Sequence, residues 1–395
     1  MNSSFCCFLI FTLSQSAENR FEVRTVDSHP KAVDLRVLKG GKIETVAEGS
    51  MESDKWYSLR RGTVLPDLPS DPHVELANGD RIVGTVVASD GDTLTIRLPI
   101  AGKEQTIKVP LSAVRVAWLT RQSAEPPRWL DKPRARDVFQ TRNGDLHFGS
   151  LTEIDSGRGS LRFQADGKDQ GLDLSKVAAI GFNTDLARDR RPKGRYYRAT
   201  LLDGSRLSIA SIEFDGKTWT FETLFRQTVI VPSTQLASLI VEQGAAVFAS
   251  QVVPLKYSYD TFDGEDRSWT ADKTAAGEPL RLNTAPGEST FDRGVGLRSG
   301  SSITYAVAGK YKSFESLVGL DSRLGVKGDV ELAIELDGRV WPIPEGKRLN
   351  AARGPIELRI DLVGVKQLTI HVRRGEGGNV QDHVNFADAR FVLGQ

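Results

Sequence analysis

Hydrophobic and polar positions alternate with a period of two along most of this chain. In GDVELAIELDG, Val330, Leu332, Ile334 and Leu336 alternate with Asp329, Glu331, Ala333 and Glu335, and Asp337-Gly338 follows as a reversal. One face of such a strand is buried and the other meets water. The alternation continues through Ile356, Leu358, Ile360 and Leu362, and after Gly364 it resumes at Leu368, Ile370 and Val372. Ile370, Val372, Phe391 and Leu393 are expected to point inward, and His371, Arg373 and Arg390 outward. Antiparallel strands with one wet face are the material of a β-sandwich, predicted over 248–395.

Upstream, the pattern repeats itself. HVELANGDRIVGTVVASDGDTLTIRLPI and its continuation to Trp118 place a strand, the turn Asn78-Gly79-Asp80, a strand through Gly84, a second turn at Asp90-Gly91 and two further alternating runs. DVFQTRNGDLHFGS repeats that order with Asn143-Gly144-Asp145 and Gly149, and YRATLLDGSRLSIA repeats it with Asp203-Gly204-Ser205. The turns recur about 65 and about 60 residues apart. Repeat 1 (70–123), repeat 2 (135–184) and repeat 3 (195–244) each hold about five short strands, enough for a small SH3-like or Sm-like barrel and barely enough for a core. Neighbours are therefore expected to stack. A shorter β-rich piece, 21–66, reads as a partial repeat with its middle hairpin reduced.

Two polar, proline-bearing linkers separate the repeats, at 124–137 and 185–195. The second carries Arg188, Arg190, Arg191, Lys193 and Arg195, a composition that suits nucleic acid but is interleaved with Asp185 and Asp189 and reads as a solvated linker. The whole chain balances 52 basic against 51 acidic residues, so no global field recruits nucleic acid or an anionic membrane.

Residues 1–17 contain an apolar run from Phe5 to Leu13 and a small-x-small ending at Ser14 and Ser16, which predicts a signal peptide cleaved near Ser16 or Ala17. The expected location is secreted, periplasmic or at the cell surface, with no membrane span. Cys6 and Cys7 lie inside this segment, so the mature chain is expected to lack disulfides, thiolate metal sites and a cysteine nucleophile.

Templates for catalysis are missing: there is no Gly-x-Ser-x-Gly elbow, no His-Glu-x-x-His, no phosphate-cradling loop and no dinucleotide fingerprint. Of the five histidines, His73 and His147 fall in repeat strands and are expected at the surface. The acidic run Asp260, Asp263, Glu265 and Asp266 offers oxygen ligands for a structural calcium ion but lacks the order of an EF-hand loop, so it reads first as an acidic turn, and no other cofactor is expected. Sugar binding asks for less: an aromatic face for a pyranose ring and planar groups that bond vicinal hydroxyls. Trp269, Arg298, Trp341, Asp382, His383, Asn385 and Asp388 fall in loops or at strand ends and form the candidate ligand-binding set. Asn385 and Asp388 could equally pin the last strand, and Trp341 could cap the core.

The order Gly-Val-Gly-Leu, SSITYAVAGKYKSFESLVGLD, the strand ending in DGRVW, DLVGVKQLTIHV and DHVNFADARFV resembles NPCBM domains, carbohydrate-binding modules attached to some glycoside hydrolases. The resemblance spans roughly 250–393. It implies a galactose-binding-like jelly roll and a glycan or polysaccharide as partner. Where such modules often carry His after the Gly-x-Gly this chain has Arg298, and where they often carry Trp in the closing block it has Phe386. The expected fold is all-β, with tandem small barrel repeats before the sandwich. The expected function is an exported, non-catalytic carbohydrate-binding protein whose repeats act as spacers or docking modules. The alternatives are a cell-envelope scaffold that binds other envelope proteins and not sugar, and, behind it, a glycan-active enzyme.

Overall fold

A computed structural model describes residues 19–394 except 27–29, 48, 63, 101–103, 123–126, 190, 261–263, 266, 286, 345 and 377–379. The predicted signal peptide, His29, Arg190, Asp263 and Asp266 lie outside the described residues. The chain divides into two compact units, one of residues up to 25, 29–61 and 66–242, the other of 26–28, 62–65 and 243–395. No helix among the described residues is long and apolar enough to cross a membrane.

The first unit is built from one ladder used repeatedly. In repeat 2, Asp137–Thr141 pairs on one side with Leu146–Asp155 and on the other with Val177–Gly181, while Ser160–Ala165 joins Leu146–Asp155 to Lys168–Asp173. Repeat 1 and repeat 3 show the same antiparallel connections. The leading segment does too: Arg20–Thr25, Lys31–Lys39, Lys42–Thr45, Gly49–Met51 and Trp56–Arg60 are paired in the same order. Its middle strands are short, but none of the five is lost.

The long second strand of each repeat changes partner half-way, and this bend folds the sheet over itself. At the bend of repeat 2 a Cβ on Gly149 would sit 2.5 Å from the Gln164 carbonyl oxygen, and at the bend of repeat 1 a Cβ on Gly84 would sit 2.5 Å from that of Arg97. The turn before it needs a left-handed residue, supplied by Gly79, Gly144 and Gly204 with φ of 87°, 95° and 90°.

Repeats too small to hold a core share one. A single cluster runs through Trp56, Ile96, Phe163 and Trp219, members of all four ladders. Neighbours are joined in three ways. The far ends of second strands pair, Ile154 and Asp155 with Ser89 and Ala88 between repeats 2 and 1, and Phe214 with Leu38 between repeat 3 and the leading repeat. Fifth strands pair antiparallel between repeats 1 and 2, at Val116–Trp118 and Ala179–Gly181, and between the leading repeat and repeat 3, at Ser58–Arg60 and Ser238–Ile240. Repeats 1 and 3 meet instead through their turns, where Arg81 pairs with Arg206. The order in space is therefore repeat 2, repeat 1, repeat 3, leading repeat.

This stacking overturns one sequence expectation. His73 is fully buried, not at the surface, because the strand His73–Leu76 has neighbours on both faces. Its Nδ1 lies 2.7 Å from the Asp71 carbonyl oxygen and its Nε2 3.5 Å from Glu75 Oε1. The 185–195 segment is also less solvated than expected. Arg191 Nη2 donates to the Asn78 carbonyl (3.1 Å), Arg188 N donates to that of Ser112 (2.7 Å), and Arg195 reaches that of Ser53.

The second unit is a sandwich of two antiparallel sheets. One runs Thr270–Ala271, Gly294–Arg298, His383–Leu393, Tyr311–Leu320, Ile356–Asp361; the other runs Lys256–Tyr259, Ser301–Ala306, Gln367–Arg374, Asp329–Leu336, Arg339–Trp341. The alternating positions meet between them: Ile303, Leu332, Ile334, Leu358, Ile370, Val372 and Phe391 are all buried. Phe386 belongs to the same core. Leu393, expected inward, is 38% exposed, because it is the last residue of its strand and lies beyond Phe391. Arg390 points away from that core yet is covered, with its guanidinium on the Glu315 carboxylate.

Candidate functional site

One end of the sandwich gathers the starts and ends of six strands: Arg298, Ser301, Leu320, Asp329, Arg374 and His383. Arg298 and His383 are directly opposite each other in the ladder between Gly294–Arg298 and His383–Leu393. Their neighbours Leu297 and Val384 enter the core, so this pair lies on the outer face of its sheet. Both side chains are half-buried.

Arg298 Nη1 is 3.4 Å from His383 Nε2, and Nη2 donates to the Ala275 carbonyl at 3.1 Å. A guanidinium can only donate, so this geometry makes Nε2 the acceptor and places the imidazole proton on Nδ1. That nitrogen is buried without a partner among the described residues. Burial, and then the Arg298 charge, hold the His383 pKa below the ordinary histidine value, with Asp321 opposing them. The imidazole is thus neutral at neutral pH.

Asp382 faces differently. It is 4% exposed, its Oδ1 accepts the Asp329 N–H at 3.0 Å, and its carbonyl accepts from Ser299 N at 3.2 Å. Burial raises its pKa, against the lowering effect of the Ser299 hydroxyl and the Asp329 N–H. The residue ties three strand ends together. Asn385 is fully buried, with Nδ2 donating to the Arg281 carbonyl (3.0 Å) and to Asp321 Oδ2 (2.8 Å). Those bonds fasten the hairpin Leu280–Thr284 and Gly287–Phe291 over the outer face of the sheet.

Asp388 sits in a bulge of the closing strand with φ +47°, and its N–H donates to the Arg293 carbonyl at 2.9 Å. Trp269 and Trp341 are half-buried and both pack against the core. Trp269 leads into the strand that pairs with Val295 and Gly296, beside Arg298. Trp341 pairs with Ile334 at the edge of the other sheet, away from Arg298 and His383. Of the sequence-selected set, the structure brings Arg298 and His383 to one surface, sets Asp382 and Asn385 beneath it as fasteners, packs Trp269 against the core, and leaves Asp388 and Trp341 elsewhere. Asp260, from the acidic run, has its Oδ2 2.8 Å from Arg374 Nη1.

Asp321 escaped the sequence reading. It is 1% exposed, accepts from the N–H groups of Arg323 (3.0 Å) and Leu324 (2.8 Å) and from Asn385, and borders a small pocket with Asn283, Ser322, Asn350 and Pro355. It follows a strand whose alternation ends at Leu320, and only the Asp-Ser turn chemistry marks it. Among the described residues no group of three or more His, Cys, Asp or Glu is placed to hold a metal ion.

Residues 248–392 match the family model of the NPCBM/NEW2 domain. The match covers the sandwich and stops short of the repeats. No curated protein matches the chain. Among solved structures, the chain is similar to CBM51 from a Clostridium perfringens GH95 in complex with methyl-galactose. That comparison has 21% identity and a TM-score of 0.34, over 37% of this chain and 99% of that one. It is similar to CBM51-2 in complex with GlcNAc and INT domains from Clostridium perfringens ZmpB, at 22% identity and a TM-score of 0.34, over 50% of this chain and 43% of that one. The tandem CBM51 modules of Sp3GH98, the family 98 glycoside hydrolase from Streptococcus pneumoniae SP3-BS71, align at 13% identity and a TM-score of 0.34, over 65% of this chain and 88% of that one.

Proposed function

We propose that this is an exported, non-catalytic carbohydrate-binding protein whose NPCBM/NEW2 domain holds a glycan at the sandwich end carrying Arg298 and His383. The observation that carries the reading is the cross-strand Arg298–His383 pair within that domain. A guanidinium and a neutral imidazole, half-buried on a rigid ladder, supply planar donors. That is the chemistry a vicinal diol requires. The two sheets keep these groups in place, so little side-chain entropy is left to lose on binding.

The test is affinity electrophoresis of the full chain through a panel of polysaccharides, with methyl-galactose and GlcNAc as soluble competitors. Arg298→Ala is expected to weaken retardation roughly tenfold or more, since a hydrogen bond to a charged group is worth ~1.5–3 kcal/mol, and His383→Ala by up to about tenfold, since a bond from a neutral imidazole is worth ~0.5–1.5 kcal/mol. Asp382→Ala is expected to act through stability instead, lowering the melting temperature, because it frees the Asp329 N–H. Failure of every glycan to retard the wild-type chain, or unchanged binding by both Arg298→Ala and His383→Ala, abandons this reading.

A further inference from the structure

The turn faces of the repeats have a conserved use inside this chain, and one of them is left open. Between repeats 1 and 3 the second strands approach head-on, with Arg81 opposite Arg206. Two hydrogen bonds there follow one rule. Val83 N donates to Ser205 Oγ at 3.1 Å, and Ser208 N donates to Asp80 Oδ2 at 2.8 Å. Val83 and Ser208 occupy the same place in the two repeats, as do Asp80 and Ser205. Each repeat therefore gives the N–H of its third strand residue to the turn side chain of the other, a pseudo-two-fold arrangement. The contact is closed: Val83 is 9% and Ser208 5% exposed.

Repeat 2 carries the same face at the outer end of the row. Aligned on the turn, Asp145 stands for Asp80 and Ser205, Leu146 for Arg81 and Arg206, and Phe148 for Val83 and Ser208. Among the described residues nothing in its own unit closes the face: Leu146 is 43% and Phe148 50% exposed. These are two large apolar side chains at i and i+2 of one strand, at positions where the paired repeats carry arginine, valine or serine. Beside Phe148 opens a cleft lined by Trp129, Arg136, His147 and Gln170. The segment before the first strand walls this cleft, as the corresponding segment does between repeats 1 and 3, where Arg206 Nη2 donates to the Pro66 carbonyl at 2.6 Å.

We infer that the repeat 2 turn face docks on the same face of a second copy of this chain, continuing the contact that repeats 1 and 3 make internally. In the resulting isologous dimer Leu146 meets Leu146 across the two-fold. The N–H of Phe148 is given to the Asp145 carboxylate of the other chain, and the Phe148 ring enters the opposing cleft. The carboxylate is available: among the described residues it accepts from Asn143 alone, with Nδ2 donating to Oδ2 at 2.7 Å. Replacing the like-charged Arg81–Arg206 juxtaposition by a leucine pair removes a repulsion and buries apolar surface. The inference is independent of the glycan site, which lies in the other unit.

Sedimentation velocity of the full chain across the micromolar range tests it, with a Cys6→Ser, Cys7→Ser background used for cross-linking. The wild type is expected to dimerise, and Phe148→Asp or Leu146→Asp to weaken the dimer about tenfold or more. Leu146→Cys is expected to form a disulfide-linked dimer, and the exposed control Val340→Cys not to do so. Both aspartate variants alter exposed side chains, so an unchanged melting temperature separates lost docking from unfolding. If either proves unstable, the cysteine pair decides alone. A wild-type chain that stays monomeric through this range, or a dimer indifferent to both aspartates, overturns the inference. Affinity for a soluble monosaccharide, measured on the same samples, moves with Arg298 and His383 and not with these outcomes.

Discussion

At the scale of the residue, burial decides what an ionisable group can do. Glu75 is 6% exposed, and burial by itself would push its pKa up. The His73 imidazole, the Arg81 charge and the Trp118 indole N–H at 3.0 Å outweigh that, and its pKa falls from 4.5 to about 2. A carboxylate held below its unfolded value stabilises the protein above that value. The contribution is lost as pH falls from 4.5 towards about 2. The shift corresponds to about 3 kcal/mol, taking ~1.4 kcal/mol per unit. Glu75→Gln is expected to lower stability by that order at neutral pH, and the gap from wild type should close through the same acid window in a denaturant titration. A constant gap at every pH would mean that the carboxylate charge is not what matters. Asp382 and His383, adjacent in sequence, differ in one respect: Asp382 commits Oδ1 to the Asp329 N–H, while its Oδ2, like His383 Nδ1, has no partner among the described residues.

Elements in this protein are defined by where a strand turns or bends, more than by the strand itself. The alternation along Leu146–Asp155 reads as one strand, but its halves belong to different pairings, with Asp137–Gln140 first and Ser160–Gln164 afterwards. Gly149 stands at the change because the Gln164 carbonyl crosses within 2.5 Å of where a Cβ would be. Gly149→Ala is expected to cost about 2 kcal/mol, within the range for local overpacking, and to lower the thermal midpoint without altering the glycan retardation. Gly144→Ala carries a different penalty, from its φ of 95°, and would be felt in open space. A melting temperature unchanged by Gly149→Ala would show that the bend relaxes freely.

On the scale of the whole molecule, the repeats form a row with three kinds of joint. Fifth strands and the far ends of second strands pair within the two couples, and turn faces join the couples through repeats 1 and 3. A row of this kind grows by reuse of the same contacts, and its free ends are where growth must be stopped or used. If the repeat 2 end is used for a second copy, each assembly displays two NPCBM/NEW2 domains. The second glycan contact is then made at high effective concentration. Phe148→Asp should therefore weaken retention on an immobilised polysaccharide while leaving affinity for a soluble monosaccharide unchanged. Equal retention by dimer and monomer would show that the two sites cannot reach one surface together.

Periodicity two and the turn residues were enough to determine an all-β chain, the inward set from Val330 to Val372, the recurrent turns centred on Gly79, Gly144 and Gly204 and the ordered blocks of the closing domain. These features are local: a left-handed turn residue or an alternating face is required by the backbone wherever the strand finally packs. The leading segment's five-strand ladder, the burial of His73 and the fastening roles of Asp382 and Asn385 were decided by tertiary structure. Each depends on which distant strand lies against an outward face, as the hairpin 280–291 does over Asn385 and as stacked repeats do around His73–Leu76. A one-dimensional pattern states that a face points away from its own core. Whether that face meets water, a neighbouring repeat or a covering hairpin is settled only when contacts far apart in sequence close, because burial comes from packing between elements and not from the strand that supplies the residue.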